Sequence, residues 1–266
     1  MLSKFRRILS DPSRLRRAIA RRLSPELTRP DLSQVNLHRY VAQVPDRYAI
    51  NLAKYLGRGG TECAETQARF ILGNEKRNSG DLPRYYFLKL VCDQILKEKI
   101  TGDYVELGVY KGNTAALLTD LARRTGSCAY LLDTFDGFAS DDLVGIDSNI
   151  KMEFTDTSLN AVQELVGVEN VKFVRGYFPA TAGQIPMEAR FALVHLDCDL
   201  YKPFLAALEF FYPRLMPGGF LIMHDYGSLF WDGVEKAIDD FFADKPETVV
   251  PIPDKSGTAV VRKVSK

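Results

Sequence analysis

From residue 102 to the end, short apolar runs alternate with segments of helical spacing, a pattern that restricts the chain to strands joined by crossover helices in a mostly parallel sheet covered on both faces. Strands are predicted near residues 103–107, 129–133, 171–175, 191–197 and 219–224. Between them "NTAALLTDLARRTG", "SLNAVQELVG" and "KPFLAALEFFYPRL" read as helices. The closing "TVVPIPDKSGTAVVRKV" holds two β-rich runs about a turn containing Asp254 and Gly257, and predicts an antiparallel hairpin on the sheet edge.

The 266 residues, 46% of them hydrophobic, are enough for one main domain and an appendage. Residues 101–266 form that domain, residues 51–100 a helical cap and residues 1–50 a basic arm interrupted by Pro12, Pro25, Pro30 and Pro45. In the cap, Phe87, Leu90, Val91, Ile95 and Leu96 have the spacing of a helix packed on the sheet. The arm carries Lys4, Arg6, Arg7, Arg14, Arg16, Arg17, Arg21 and Arg22 against Asp11. It reads as a solvated arm, or as a basic amphipathic helix making peripheral contact with the inner face of a membrane.

Lys and Arg number 35 against 34 Asp and Glu, a balance without the overall field that draws nucleic acid. Cys63, Cys92, Cys128 and Cys198 lack paired spacing, which suits buried thiols in a reducing cytoplasm. No apolar run approaches the roughly 18 to 20 residues of a membrane span. The sequence is silent on oligomeric state, and a homo-oligomer is compatible with it.

The first predicted strand runs into "YVELGVYKGNTAALL", where Gly108 and Gly112 precede a helix, the place at which doubly wound sheets bind ligands. Its pattern is Glu-x-Gly-x-x-x-Gly; a dinucleotide turn reads Gly-x-Gly-x-x-Gly, so a pyrophosphate cradle is disfavoured. Glycines there admit a nucleoside-sized ligand. The second strand ends in "YLLDTFDGF", placing Asp133 where its carboxylate accepts hydrogen bonds from a ribose, with Thr134 and Phe135 after it. The plainer alternatives are that Asp133 caps the next helix and that Gly108 relieves crowding.

"VELGVYKGNT", "LLDTFDGF", "VKFVRGYF", "LVHLDCDLY" and "PGGFLIMHDYG", in this order and at these separations over residues 100–263, resemble the macrocin O-methyltransferase (TylF/MycF) family. The resemblance implies a Rossmann-like class I methyltransferase fold that binds S-adenosyl-L-methionine and acts on a sugar hydroxyl. It implies Glu106 and Gly108 near the amino acid part of the cofactor, Asp133 on its ribose and "RGYF", with Gly176, Tyr177 and Phe178, near its adenine side, and counts Gly112, Thr134, Phe135 and Asp197 among the other cofactor-binding residues. It also implies a metal site with an acid at the first position of "DCD" and two successive acids before the tyrosine. This chain departs from that pattern, because His224 stands in the first of those two positions.

Asp197 lies where its strand exits toward the cofactor and is read as catalytic base or ligand. Strand ends about 4.8 Å apart allow Asp197, His224 and Asp225 to share a divalent cation, Mg²⁺ or, given the softer imidazole, a transition metal. His224 is otherwise a general base or a satisfied histidine. Asp199 is expected to cap or orient the helix near Pro203, His195 to lie within its strand and His38 outside the sheet. Tyr201, Tyr226, Phe230 and Trp231 either wall an acceptor pocket or belong to the core, and residues 138–158 form a mobile lid or a plain surface loop. The leading expectation is O-methylation of a sugar or other small-molecule or glycan acceptor. Rivals are a lipid-linked glycan at the membrane, a cofactor-binding module without turnover and, remotely, an NAD(P)-dependent oxidoreductase.

Overall fold

The structure, a computed structural model, describes residues 44–62, 64–73 and 80–264. The readings made for the basic arm up to residue 43, and those for His38 and Cys63, lie outside the described residues. Three helices, α1 (Leu52–Leu56), α2 (Ala64–Gly73) and α3 (Leu82–Glu98), precede the sheet. There follow β1 (Asp103–Leu107), α4 (Asn113–Thr125), β2 (Ala129–Asp133), α5 (Leu159–Val166), β3 (Val171–Arg175) and β4 (Phe191–Leu196). The chain continues with α6 (Tyr201–Phe211), β5 (Leu215–Met223), α7 (Asp232–Phe242), β6 (Val250–Pro251) and β7 (Ala259–Arg262).

The strands form a seven-stranded sheet in the order β3-β2-β1-β4-β5-β7-β6. β1 to β5 are parallel, and β7 and β6 close one edge antiparallel, as the hairpin pattern predicts. Strand order reverses between β1 and β4, which opens a crevice beyond their carboxyl ends. Alternation along the strands sorts the core. Val105, Leu107, Leu132, Val194 and Leu196 face α6 and α7, where Phe204, Leu208, Phe211, Val234 and Ile238 meet them. Tyr104, Ala129, Leu193 and Ile222 face α3 and α4 on the other side.

The predicted helix over the cap exists as α3, with Val91 and Ile95 buried and Phe87 packed on the core as expected, and the buried face extended toward the tyrosines. Leu82, Tyr85, Leu88, Cys92 and Ile95 are buried, while Leu90 and Leu96 are 38% and 37% exposed. Spacing alone admits either stripe, because apolar residues surround this helix; the sheet selects the one that includes the tyrosines. α3 is therefore a layer of the sheet's own core. Its N-terminus is fixed by Asp81, whose carboxylate accepts the Arg84 N–H at 3.2 Å and the Lys255 N–H at 3.0 Å. Among the described cysteines Cys92 is buried, Cys128 and Cys198 are half-buried, and all three are free thiols. No helix among the described residues is long and apolar enough to cross a membrane.

Within the sheet, Glu106 of β1 pairs in register with His195 of β4, the carboxyl 3.2 Å from Nδ1, and both side chains are almost fully buried. Burial pushes Glu106 well above the ordinary carboxyl range, reinforced by Asp197, and drives His195 down to about 3. Both shifts favour the uncharged form. Glu106 thus holds a proton that the unfolded chain releases above pH 4.5, so its contribution to stability is complete below that value and falls as pH rises toward its folded pKa. His195 acts in the opposite sense: its contribution is complete above pH 6.5 and falls as pH drops toward 3. Glu106→Gln, which keeps the neutral shape, is expected to flatten the loss of stability above pH 6.5 in urea unfolding. Parallel pH profiles for the two proteins contradict a neutral Glu106.

Candidate active site

The loops after β1, β2, β4 and β5 surround a cavity of about 540 Å³ at the reversal point, a size typical of small-molecule sites. The ladder hydrogen bonds continue past the strand ends, from Gly108 N–H to the Leu132 carbonyl at 2.9 Å and from Asp197 N–H to the Leu107 carbonyl at 2.8 Å. The first ties β1 to β2 and the second ties β1 to β4, where the two chains lie so close that a Cβ on Gly108, at φ 91°, would stand 1.8 Å from the Asp197 carbonyl oxygen. Gly108 relieves crowding and lines the cavity. Gly112 stands back from the cavity as the left-handed residue preceding α4, against Val162 and Leu165.

Asp133 holds the two loops beside it. One carboxylate oxygen accepts the Tyr110 N–H at 2.8 Å and the other the Phe135 N–H at 2.6 Å. Burial raises its pKa against these hydrogen bonds. It also lines the cavity, with Val109 and Thr134 as further hydrogen-bond partners. Thr134, Gly176 and Tyr177 line the cavity, Tyr177 donating to Asp142 at 2.9 Å. Phe135 and Phe178 do not. Phe135 packs on Val162 and Leu131, and Phe178 lies among Phe210 and Phe211. Glu106 also stands behind the lining, turned toward His195.

The segment 138–158 supplies Phe138, Asp142 and Phe154 to the wall. Asp147 within it accepts the Tyr201 N–H at 2.8 Å, and Asp156 accepts from Lys111 and Tyr110 at 2.7 and 2.8 Å. It is a tethered wall. The expectation that Asp199 caps the next helix is corrected here. Leu200 precedes α6 without a side-chain cap, and Asp147 reaches across to serve the Tyr201 N–H. Tyr201 and Tyr226 turn their hydroxyls to Asp240 and Asp239 on α7, away from the cavity. Phe230 and Trp231 line it, and Trp231 packs edge-on to Phe138.

Asp197, His224 and Asp225 converge as predicted. His224 Nδ1 lies 2.7 Å from Asp225 Oδ2 and 2.8 Å from Asp197 Oδ1, and its Nε2 contacts Nη1 of Arg84, which also stands 3.8 Å from Asp197 Oδ2. Burial would raise the Asp197 pKa, but the hydrogen bond from His224 and the charge of Arg84 hold it below the ordinary carboxylate range. Asp199 lies well above that range, through burial and then Asp225, to which it hydrogen bonds. A protonated Asp199 is the donor in that carboxyl pair.

Two demands meet on His224. Burial lowers its pKa, while Asp197 and Asp225 outweigh burial and raise it to about 10. A guanidinium, however, has only donors to offer Nε2. With Arg84 in place, the neutral ring protonated on Nδ1 is the form in which each N–H meets an acceptor, and charging the ring requires Arg84 to withdraw. Both nitrogens are engaged, so a general-base role for His224 finds no open ring atom in this arrangement.

The same contacts test a metal. The three ligand atoms lie within 4.8 Å of one another, close enough for one ion. Ligation through Nδ1 needs its lone pair, which moves the ring proton to Nε2 and points it at the Arg84 donor. A hard cation such as Mg²⁺ also prefers oxygen in the place of imidazole. The residues present do not fit a bound dication while Arg84 holds this position.

Arg84 was not foreseen. It comes from α3, 140 residues before His224, and "LPRYY" contains no motif that marks its arginine for the site.

Comparison with known proteins agrees with this geometry. Residues 82–260 match the family described as macrocin-O-methyltransferase (TylF). The chain is 29% identical over 174 residues to the 8-demethyl-8-(2,3-dimethoxy-alpha-L-rhamnosyl)-tetracenomycin-C 4'-O-methyltransferase of Streptomyces olivaceus, covering 60% of this chain and 65% of that relative's length. It is 27% identical over 191 residues to the mycinamicin III 3''-O-methyltransferase of Micromonospora griseorubida, covering 60% of this chain and 73% of the relative. Among solved structures, the O-methyltransferase NovP superposes with a TM-score of 0.55 at 21% identity, over 69% of this chain and 81% of NovP. The calicheamicin methyltransferase CalS11 superposes at 0.56 and 18%, over 85% and 89%. The fold is thus that of methyltransferases. With the match extending from the first residue of α3 through the sheet into β7, the chain belongs to the macrocin-O-methyltransferase (TylF) family.

Proposed function

We propose that this protein is an S-adenosyl-L-methionine-dependent O-methyltransferase whose acceptor is a hydroxyl of a sugar or glycoconjugate. The observation that carries this reading is one cavity, at the strand-order reversal, lined both by Asp133 at the end of β2 and by Asp197 at the end of β4. Membership in the family supports it, as does the relative named for O-methylation of a rhamnosyl-tetracenomycin.

When bound, S-adenosyl-L-methionine supplies a methyl group on a sulfonium, open to in-line displacement by an oxygen. Asp133 receives the ribose hydroxyls, and the aromatic wall of Phe138, Phe154 and Trp231 excludes water from the reacting centre and offers apolar faces to a sugar ring. Asp197, with a side chain 22% exposed, accepts the hydrogen bond of the acceptor hydroxyl. It takes the proton as the carbon–oxygen bond forms and the carbon–sulfur bond breaks. Its depressed pKa makes it a weak base that afterwards releases the proton readily to water. His224 holds Asp197 in orientation through the Nδ1–H.

Methyl release from labelled S-adenosyl-L-methionine across a panel of deoxysugar glycosides is expected to show turnover with at least one. Absence of turnover across the panel, with cofactor bound, favours the non-catalytic module. Asp133→Ala is expected to weaken S-adenosylhomocysteine binding by about 1 to 3 kcal/mol, the scale of hydrogen bonds to a charged group. An unchanged dissociation constant in calorimetry contradicts that role. Asp197→Asn is expected to lower kcat by about 10²- to 10⁴-fold, the range of a lost general base, with cofactor affinity little changed; wild-type kcat removes Asp197 from the reaction.

A further inference from the structure

Arg84 belongs to the first turn of α3, and Asp81 ties that turn both to the Arg84 backbone and to the loop before β7. Its guanidinium lies over the Phe70 ring, 5.0 Å from the centroid, with a side chain only 6% exposed. A cation placed at the positive end of a helix and taken out of water is costly unless anions receive it. Here Asp197 does so at 3.8 Å, and the imidazole joining Asp197 to Asp225 touches the same Nη1. The ligand-like triad is thereby internally satisfied, its ring proton between two carboxylates and a fixed positive charge on its far side.

We propose that Arg84 supplies from within the chain the positive charge at the acceptor oxygen's position, so that the site of Asp197, His224 and Asp225 works without a divalent cation. The inference rests on the methyl-transfer reading for its chemical meaning. Arg84 lines the same cavity as Asp197. A positive charge there favours the developing alkoxide character of the hydroxyl and keeps Asp197 ionised to accept its proton. Being unable to lose its own proton, a guanidinium holds that charge at every working pH.

The test uses the full-length protein with S-adenosylhomocysteine and Mn²⁺ as spectroscopic probe, so its outcome does not depend on any acceptor. Wild type is expected to show no saturable Mn²⁺ binding at micromolar metal by electron paramagnetic resonance, with Mg²⁺ likewise silent in calorimetry. Arg84→Met, which leaves the acids uncompensated and frees Nε2, is expected to bind Mn²⁺ more tightly by about tenfold or more, the scale on which partners of metal ligands act. A stoichiometric micromolar Mn²⁺ site in wild type overturns the proposal, as does Mn²⁺ affinity unchanged in a folded Arg84→Met. If that variant does not fold, the wild-type measurement decides alone. Where an acceptor is in hand, wild-type turnover is expected to survive chelator and Arg84→Lys to retain more kcat than Arg84→Met. Loss of turnover with chelator overturns the proposal without touching the methyl-transfer reading.

Discussion

The carboxyl edge of the central strands gathers Glu106, Asp197, Asp199 and Asp225 into one desolvated neighbourhood, and the structure there follows from how those four acids avoid repelling one another. Buried charges persist only when paired, and acids without partners keep their protons. Glu106 and Asp199 take the second course, one against His195 and the other against Asp225. Asp197 takes the first, against His224 and Arg84. These like groups are thus kept apart by different partners, and Asp197 faces the cavity with Arg84 and the His224 ring, which it shares with Asp225, behind it.

Much of the fold was legible because period-two and helical spacing report burial directly, and the sheet strands fall where their apolar runs lie. Backbone patterns did less well where several faces of a helix were apolar. In α3 the stripe containing Leu90 and Leu96 was as periodic as the one the sheet buries, and the choice between them is made by tertiary contact. Asp199 illustrates a second limit. Its position before a helix suits a cap, but its left-handed backbone, φ 64°, sends the side chain to Asp225 and leaves the helix N–H to Asp147, 54 residues earlier in the chain.

The candidate site was legible to the extent that its residues sit at strand ends. Asp133, Asp197, His224 and Asp225 meet at the cavity because a parallel sheet aligns its carboxyl ends, and Gly108 sits among them for the separate reason that two strands nearly touch. Glu106, Gly112, Phe135 and Phe178 share the same motifs yet stand behind the lining: Glu106 because side chains alternate across its strand, Gly112 because it precedes α4, and the two phenylalanines because they pack into apolar clusters. Arg84 was invisible for a deeper reason. Its role arises from the packing of α3 on the sheet, a long-range contact that leaves no spacing in the sequence.

On the proposed function, the crevice between β1 and β4 holds an adenosyl ligand from the Asp133 side and offers its reacting centre to Asp197. A crystal structure of the protein with S-adenosylhomocysteine tests it most directly. Ribose hydroxyls are expected within hydrogen-bond distance of Asp133, with the ligand sulfur turned toward the Asp197 side of the cavity. A ligand bound elsewhere, or one whose ribose lies away from Asp133, contradicts it.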